Sequence, residues 1–245
     1  MFKRLLLLLL VCVFAVEAGE VRGSIGPQFY YVDLEFDEPD SIDGYMAGVV
    51  AKVDYFCDCY RAGVEFRGGW DTNHLRGDPA QKSCVTEYFV TGRLGYWFDA
   101  CGCLSTGLFT GFGWHELENC QNPDMAALCY RYDKLFIPLG ISICAPLCGN
   151  GSIGLQVEWR PDVYASLDFE SDSLDNCKEQ GYRIEIPFSW CCETACGAFF
   201  TSVVPFYDWA RFGKYSGENE IQVQFMVPST KRWEAGLTWL IGYNF

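Results

Sequence analysis

Cysteine is the residue whose number and spacing point most directly to chemistry in this 245-residue sequence. It occurs 14 times, whereas histidine occurs twice. In an exported chain, so many thiols form disulfides. Removing a leader that carries Cys12 leaves an odd number, so at least one thiol stays free or pairs with another molecule. The disulfide candidates are Cys57, Cys59, Cys84, Cys101, Cys103, Cys120, Cys129, Cys144, Cys148, Cys177, Cys191, Cys192 and Cys196.

Two cysteine pairs raise metal binding as an alternative. They are Cys57-Asp58-Cys59 and Cys101-Gly102-Cys103, each with a single residue between the thiols. Structural zinc sites place two or more residues between paired cysteines and often add histidines, and neither feature occurs here. Cys57 and Cys59 are also poorly placed to bond to each other. We therefore predict no metal and no cofactor.

The histidines are the candidates for acid–base catalysis. His74 lies between Asp71 and Asp78, and His115 precedes Glu116 at the end of a predicted strand. The sequence shows no Ser/His/Asp order and no trio of metal ligands. We predict that the protein is not an enzyme, with a hydrolase at the outer rim of the fold as a distant alternative.

The first 18 residues have the pattern of a secretory signal peptide. Lys3 and Arg4 precede an apolar stretch from Leu5 to Val16, and Ala18 provides a small residue for cleavage. The apolar stretch is too short to cross a membrane as a helix. The predicted domains are thus 1–18, the signal peptide, and 19–245, a single β-domain.

Alternation of apolar and polar residues with period two dominates the rest of the chain and predicts an all-β fold. The longest case runs from Ile153 to Phe169, with odd positions apolar and even positions mostly polar. At about 3.3 Å per residue, such a strand is long enough to cross a tilted membrane. We predict ten strands, with eight or twelve as alternatives, at 25–36, 44–56, 59–70, 85–99, 104–117, 132–144, 152–169, 181–191, 198–213 and 231–245.

The predicted connections alternate between short and long. Short turns fall near residues 58, 101–102, 148–151 and 193–194, and long loops span 37–43, 70–84, 118–131, 169–180 and 214–230. This pattern is typical of antiparallel transmembrane β-barrels, which have short periplasmic turns and long external loops. A barrel leaves no backbone group unpaired in lipid. A secreted β-sandwich is the alternative.

Charged residues also fall at alternate positions of these strands, on the side that would face the lumen. A ten-stranded barrel is narrow, so opposed charges would form either a salt-bridged plug or the lining of a narrow passage. The predicted lumen-lining residues are Lys52, Arg61, Glu65, Arg67, Arg93, Glu158, Arg160, Arg183, Glu185 and Glu234.

The last strand resembles the terminal signature of bacterial outer-membrane proteins. In that signature a C-terminal aromatic residue follows apolar residues at alternate positions and is read by the barrel-assembly machinery. The matching residues are Trp239, Ile241, Tyr243 and Phe245. The segment Val204–Trp209 is similar to the penultimate strand of such barrels. The resemblance implies location in the bacterial outer membrane, with its lipid and the assembly machinery as partners.

The cysteine content resembles that of the cysteine-rich outer-membrane proteins of chlamydiae and their relatives, which include a major outer-membrane porin. Disulfide cross-links between such proteins strengthen the cell envelope. The present chain is shorter than those porins. By this topology, nine of the candidate cysteines lie at the periplasmic rim, and Cys84, Cys120, Cys129 and Cys177 lie in external loops, where Cys120–Cys129 and Cys84–Cys177 could pair.

These features favour a disulfide-braced outer-membrane barrel with a structural, envelope or surface-interaction role. The rim cysteines would either brace the barrel or cross-link it to other envelope proteins. A small porin for ions or small solutes is the alternative. The net charge of −14 excludes nucleic acid as a partner, because no basic surface could neutralise its phosphates.

Overall fold

A computed structural model describes most of the chain. The described residues are 19–36, 41–71, 75–76, 82–100, 103–121, 128–169, 172–175, 179–194, 197–213, 215–218, 224–227 and 229–245. The predicted signal peptide lies outside them, as do Cys101, Cys177, Cys196 and His74.

Sixteen strands make up the described structure. They are β1 (Glu20–Phe36), β2 (Ser41–Cys57), β3 (Tyr60–Asp71), β4 (Leu75–Arg76), β5 (Lys82–Asp99), β6 (Ser105–Gln121), β7 (Leu128–Phe136), β8 (Leu139–Pro146), β9 (Gly151–Phe169), β10 (Asp172–Asp175), β11 (Gln180–Glu185), β12 (Phe188–Thr194), β13 (Gly197–Phe212), β14 (Tyr215–Glu218), β15 (Gln224–Val227) and β16 (Thr230–Asn244).

The main strands form a closed antiparallel barrel with ten positions around its wall, which confirms the predicted fold and strand count. We call each position a stave, because some positions hold one continuous strand and others hold two shorter ones. Each stave pairs with the next along the chain, and β1 closes the barrel by pairing with β16. Two staves consist of two strands each, β7 with β8 and β11 with β12. Pro138 and Pro187 stand at the interruptions, because proline has no N–H to donate to the ladder.

The two rims differ in their connections. One rim carries the tight turns and both ends of the barrel sheet, and we call it the short-turn rim. Asp58 makes the β2–β3 turn there with a φ of 50°, a conformation that aspartate tolerates better than most residues. The opposite, long-loop rim carries the longer connections, with the short hairpin β14–β15 in the last of them.

Large apolar side chains cover the outside of the barrel. Ile25, Phe29, Leu108 and Phe112 each expose more than half of their surface. A contiguous apolar exterior of this kind needs lipid around it. Among the described residues, no helix is long and apolar enough to span a membrane.

Inward aromatic rings pack against glycines on neighbouring staves. A Cβ at Gly107 would come within 2.2 Å of Trp97, and one at Gly140 within 2.2 Å of Phe109. Glycine is required at both positions because only a bare backbone leaves room for the ring. The rings therefore lie flat against the wall at the short-turn end of the lumen.

The predicted single face of the strand from Ile153 to Phe169 is wrong beyond Val163. The register between β7 and β9 shifts after Leu135, which faces Tyr164, while Phe136 faces Asp162. This β-bulge inserts one extra residue and reverses the alternation. Tyr164 is consequently exposed, and Leu167 is fully buried.

Candidate functional site

The middle of the lumen is filled by charged side chains, which we call the ionic lattice. Sixteen of them form ion pairs inside the barrel, and eight are acidic and eight basic, so the lattice is neutral. The members are Lys52, Asp54, Arg61, Glu65, Arg67, Glu87, Arg93, Lys134, Glu158, Arg160, Asp162, Arg183, Glu185, Asp208, Arg232 and Glu234.

Asp208 on β13 is the hub of the lattice. Its carboxylate lies 2.8 Å from Arg160, 3.0 Å from Arg183 and 3.3 Å from Arg232. Arg67 approaches it to 3.7 Å. These four arginines come from four other staves, so one buried carboxylate connects opposite sides of the barrel.

A second part of the lattice lies around Glu65 on β3. Lys52 Nζ is 2.8 Å from its carboxylate, Arg67 Nε 3.0 Å and Arg93 Nη1 3.2 Å. Arg93 also donates from Nε to Glu158 at 2.8 Å. Since Glu158 pairs with Arg160, the groups around Glu65 and Asp208 form one continuous network.

His115 lies inside the barrel and not at its outer rim, which corrects its predicted position. Its Nε2 is 2.6 Å from Glu87 Oε1, and its ring stacks on Phe89 at 3.9 Å between centroids. Arg67 lies over the same Phe89 ring at 4.0 Å. His115 is 3% exposed, so a substrate outside the cell would have no access to it.

An apolar cluster fills the lumen between the ionic lattice and the long loops. It is made by inward residues near the long-loop ends of seven staves and includes a tilted contact of Tyr132 with Phe212 at 4.7 Å. Its buried members are Tyr30, Val32, Leu34, Ile42, Met46, Val85, Leu117, Tyr132, Leu167, Phe206, Ala210 and Phe212. Over the described residues, lattice and cluster together fill the lumen with largely buried side chains.

The structure places all ten predicted lumen residues in the ionic lattice. Arg61 and Lys52 lie at its short-turn end and are partly exposed, whereas the others are largely buried. Six members of the lattice were not among the ten predicted residues: Asp54, Glu87, Lys134, Asp162, Asp208 and Arg232. Alternation could have identified them, because Asp208 stands between two outward aromatic residues and Arg232 stands two positions before Glu234.

The described free cysteines form two groups, one at each rim of the barrel. Eight of those described are free thiols, and seven of these lie at or near the short-turn rim: Cys57, Cys59, Cys103, Cys144, Cys148, Cys191 and Cys192. The eighth, Cys84, lies near the long-loop rim and donates from Sγ to Asp71 at 3.4 Å. No group of three or more metal-binding side chains occurs in the part of the chain that the structure describes.

Three cysteines line up across neighbouring strands near the long loops. Cys84 on β5 is the register partner of Cys120 on β6, and Cys120 is the register partner of Cys129 on β7. Antiparallel neighbours of this kind bring Cα atoms within the range that a disulfide requires.

The residues of the terminal signature lie on the outer surface of β16. Trp239 and Ile241 are half exposed and Phe245 is three-quarters exposed. Tyr243 packs edge-on against Phe245 at 4.9 Å, and the backbone N–H of Phe245 donates to Val21. These side chains thus continue the apolar exterior up to the short-turn rim.

Comparison with known proteins identifies the fold only. No family model and no curated protein matches the sequence. Among solved structures, the outer membrane protease OmpT from Escherichia coli matches with a TM-score of 0.55 at 9% identity, over 95% of this chain and 98% of that one. The translocator domain of the autotransporter NalP from Neisseria meningitidis has a TM-score of 0.48 at 9% identity, over 100% and 95%.

Ail, the attachment invasion locus protein of Yersinia pestis, matches with a TM-score of 0.39 at 12% identity, over 93% of this chain and 99% of that one. The expected likeness to chlamydial porins is not shown by these comparisons. The ten closed staves, the apolar exterior and the OmpT likeness agree: this chain has the fold of a bacterial outer-membrane β-barrel.

Proposed function

We propose that the protein is a closed, disulfide-braced barrel of the outer membrane with a structural role in the cell envelope. The observation that carries the proposal is the filled lumen. Solutes would have to cross a neutral lattice of paired charges and then a cluster of buried apolar side chains. Opening that path means breaking buried ion pairs, each of which costs about 3–5 kcal/mol when one partner is lost.

The distribution of thiols supports the envelope role. Cys59, Cys103, Cys148 and Cys192 are exposed at the short-turn rim, which in this family of folds faces the periplasm. Exposed thiols in an oxidising compartment form disulfides, and those on separate turns can reach neighbouring envelope proteins. Cys120, in contrast, braces the long-loop side of the barrel itself.

The proposal assigns no catalysis to this chain. OmpT is a protease, but at 9% identity the likeness concerns the fold. His115 is held by Glu87 and Phe89 inside the lumen, away from both rims. A His115→Gln variant is expected to leave the envelope function unchanged.

Recording in planar lipid bilayers tests the closed lumen against the small porin. We expect refolded protein to show no discrete current steps under oxidising or reducing conditions. Reproducible steps from the monomer would overturn the closed barrel and favour the porin. Steps under reducing conditions alone would make the thiols its gate, which also contradicts the proposal.

Gel electrophoresis of whole envelopes tests the cross-links. Without reductant, we expect a ladder of high-mass species that collapses to monomer when reductant is added. Replacing Cys59, Cys103, Cys148 and Cys192 with serine should remove the ladder, whereas Cys84→Ser, the control at the opposite rim, should retain it. Monomer in both conditions for the wild type would contradict the cross-linking role.

A further inference from the structure

A groove lies on the outside of the barrel at the β-bulge, toward the long-loop rim, and we call it the bulge groove. Its volume is about 340 Å³, which falls in the range of sites for small ligands. The bulge creates it, because the reversed alternation of β9 turns Tyr164, Ser166 and Asp168 outward. Ser166 is small and 4% exposed, so it forms the floor between its two larger neighbours.

The wall of the groove nearer the middle of the membrane is apolar. Trp114 of β6 is the register partner of Leu135 on β7, which in turn faces Tyr164 on β9. Phe112 and Val163 are exposed beyond this row on the same staves and continue the lipid-facing exterior. A lipid whose acyl chains lie along these side chains therefore places its head group at the groove.

The wall nearer the long loops is acidic. Glu116 is the register partner of Asp133, and Arg131 is the register partner of Asp168. The single Arg131 guanidinium is shared by Asp133 at 3.0 Å and Asp168 at 2.7 Å. Glu116 forms no ion pair within the described part of the chain. Three carboxylates thus meet one cation, which leaves an excess of two negative charges on this wall.

Two polar groups that line the groove can accept further hydrogen bonds. The Ser166 hydroxyl is bonded to no other group among the residues that the structure describes. Asp133 accepts one bond from Trp114 Nε1 at 3.2 Å and one from Arg131 Nε at 3.0 Å, whereas a carboxylate can accept about four. Lys134 also borders the groove, but its ammonium is paired inside the lumen. The groove therefore combines available acceptors with uncompensated negative charge.

We propose that the bulge groove binds the primary ammonium group of a lipid head group. An ammonium carries three N–H donors, which match the acceptors of Ser166, Asp133 and Glu116. Its charge offsets part of the excess on the acidic wall. The aromatic side chains of Trp114 and Tyr164 on the opposite wall favour a cation further.

Native mass spectrometry of the detergent-refolded protein tests the site, because it counts the lipids that stay bound. We expect one retained molecule of phosphatidylethanolamine. Its N-acetylated form, which lacks the charge, should bind about tenfold more weakly, the factor expected for the loss of a charged hydrogen bond. Equal retention of the two lipids by the wild type would overturn the proposal.

Two charge variants locate the bound lipid. Glu116→Gln should lower the retention of phosphatidylethanolamine by a similar factor, since it removes the unpaired carboxylate of the acidic wall. Glu35→Gln is the matched control, because it removes an exposed carboxylate on another stave, β1, and it should leave retention unchanged. An equal loss in both variants would mean that the lipid responds to the overall charge and not to the groove.

A third variant closes the groove without changing any charge. Ser166→Leu directs a larger side chain into the empty volume, so the protein should fold with the stability of the wild type and lose the bound lipid. Folding is checked by urea unfolding of the same sample. Retention of phosphatidylethanolamine by folded Ser166→Leu protein contradicts the proposed site.

Calcium separates an ammonium group from a divalent cation as the occupant. Calcium takes about six to eight oxygen ligands, so it would have to displace Arg131 from Asp133 and Asp168. We expect millimolar calcium to leave the retained phosphatidylethanolamine unchanged. Release of the lipid by calcium would assign the groove to a metal ion, and retention of phosphatidylglycerol equal to that of phosphatidylethanolamine would exclude recognition of the ammonium. Either result overturns the proposal.

Discussion

Two regions fill the lumen in opposite ways, the ionic lattice with paired charges and the apolar cluster with packed side chains. The ionic lattice occupies the middle of the barrel with eight charges of each sign, whereas the apolar cluster occupies the long-loop end with side chains such as Leu167 and Phe212. The stability of the lattice depends on ion-pair partners at fixed distances, and that of the cluster depends on side chains that fill the available volume. Removing one group should therefore harm the lattice through unpaired charge and the cluster through a cavity.

The largest effect is expected from Asp208→Asn. The change removes the charge that four buried arginines share, so the free energy of unfolding should fall by about 3–5 kcal/mol. Urea unfolding of protein refolded in lipid vesicles measures it. Asp168→Asn is the matched control, because its partner Arg131 is half exposed, and it should cost less than about 1 kcal/mol. Equal costs would remove the distinction between lattice and surface pairs.

Leu167→Ala tests the apolar cluster and should cost somewhat less. Leu167 is fully buried, so its truncation leaves a cavity worth about 2–4 kcal/mol. Leu237→Ala removes the same atoms from a position that is 45% exposed on the outer surface, and should cost clearly less in the same unfolding experiment. A smaller loss for Leu167→Ala than for Leu237→Ala would mean that the cluster is not packed as described.

The smallest expected effect is a difference in salt dependence between an ion pair of the lattice and an ion pair on the surface. The pair of Arg131 with Asp168, at 2.7 Å, lies on the outside of the barrel, where ions screen it. Raising the salt concentration from 0.1 to 1 M should reduce the cost of Arg131→Gln, which starts below about 1 kcal/mol. The cost of Asp208→Asn should change little, because the lattice is shielded from solvent. Equal salt dependence would show that water and ions reach the lumen.

The sequence was sufficient for the barrel because alternation with period two records which side of each strand meets lipid. It also marked the lumen side of most charged residues, including Glu158 and Arg160. It was insufficient at the bulge near Val163, where one extra residue reverses the faces without any break in the apolar pattern. The sequence predicted His115 at the outer rim because the residue lies toward the loop end of β6. Its alternation with Trp114 places its side chain inside the lumen instead.

The sequence did not predict which charged side chains form ion pairs across the lumen. Of the four arginines around Asp208, Arg183 and Arg232 lie on the two strands that pair with β13, whereas Arg67 and Arg160 come from strands that do not. Their convergence depends on register and on closure of the barrel. The alignment of Cys84, Cys120 and Cys129 has the same origin. Local patterns assign a residue to a face, whereas contacts across the barrel follow only after all ten staves are in place.

The equal numbers of positive and negative charges in the lattice have a consequence for electrical behaviour. An electric field across the membrane pulls on both signs with opposite forces, so the sixteen described side chains of the lattice carry no net gating charge. A transmembrane voltage then does no net work when the lattice moves along the field as one body, and only a separation of its paired charges would respond to the field. The barrel should stay shut at either polarity, and the net charge of −14 comes from residues outside the lattice.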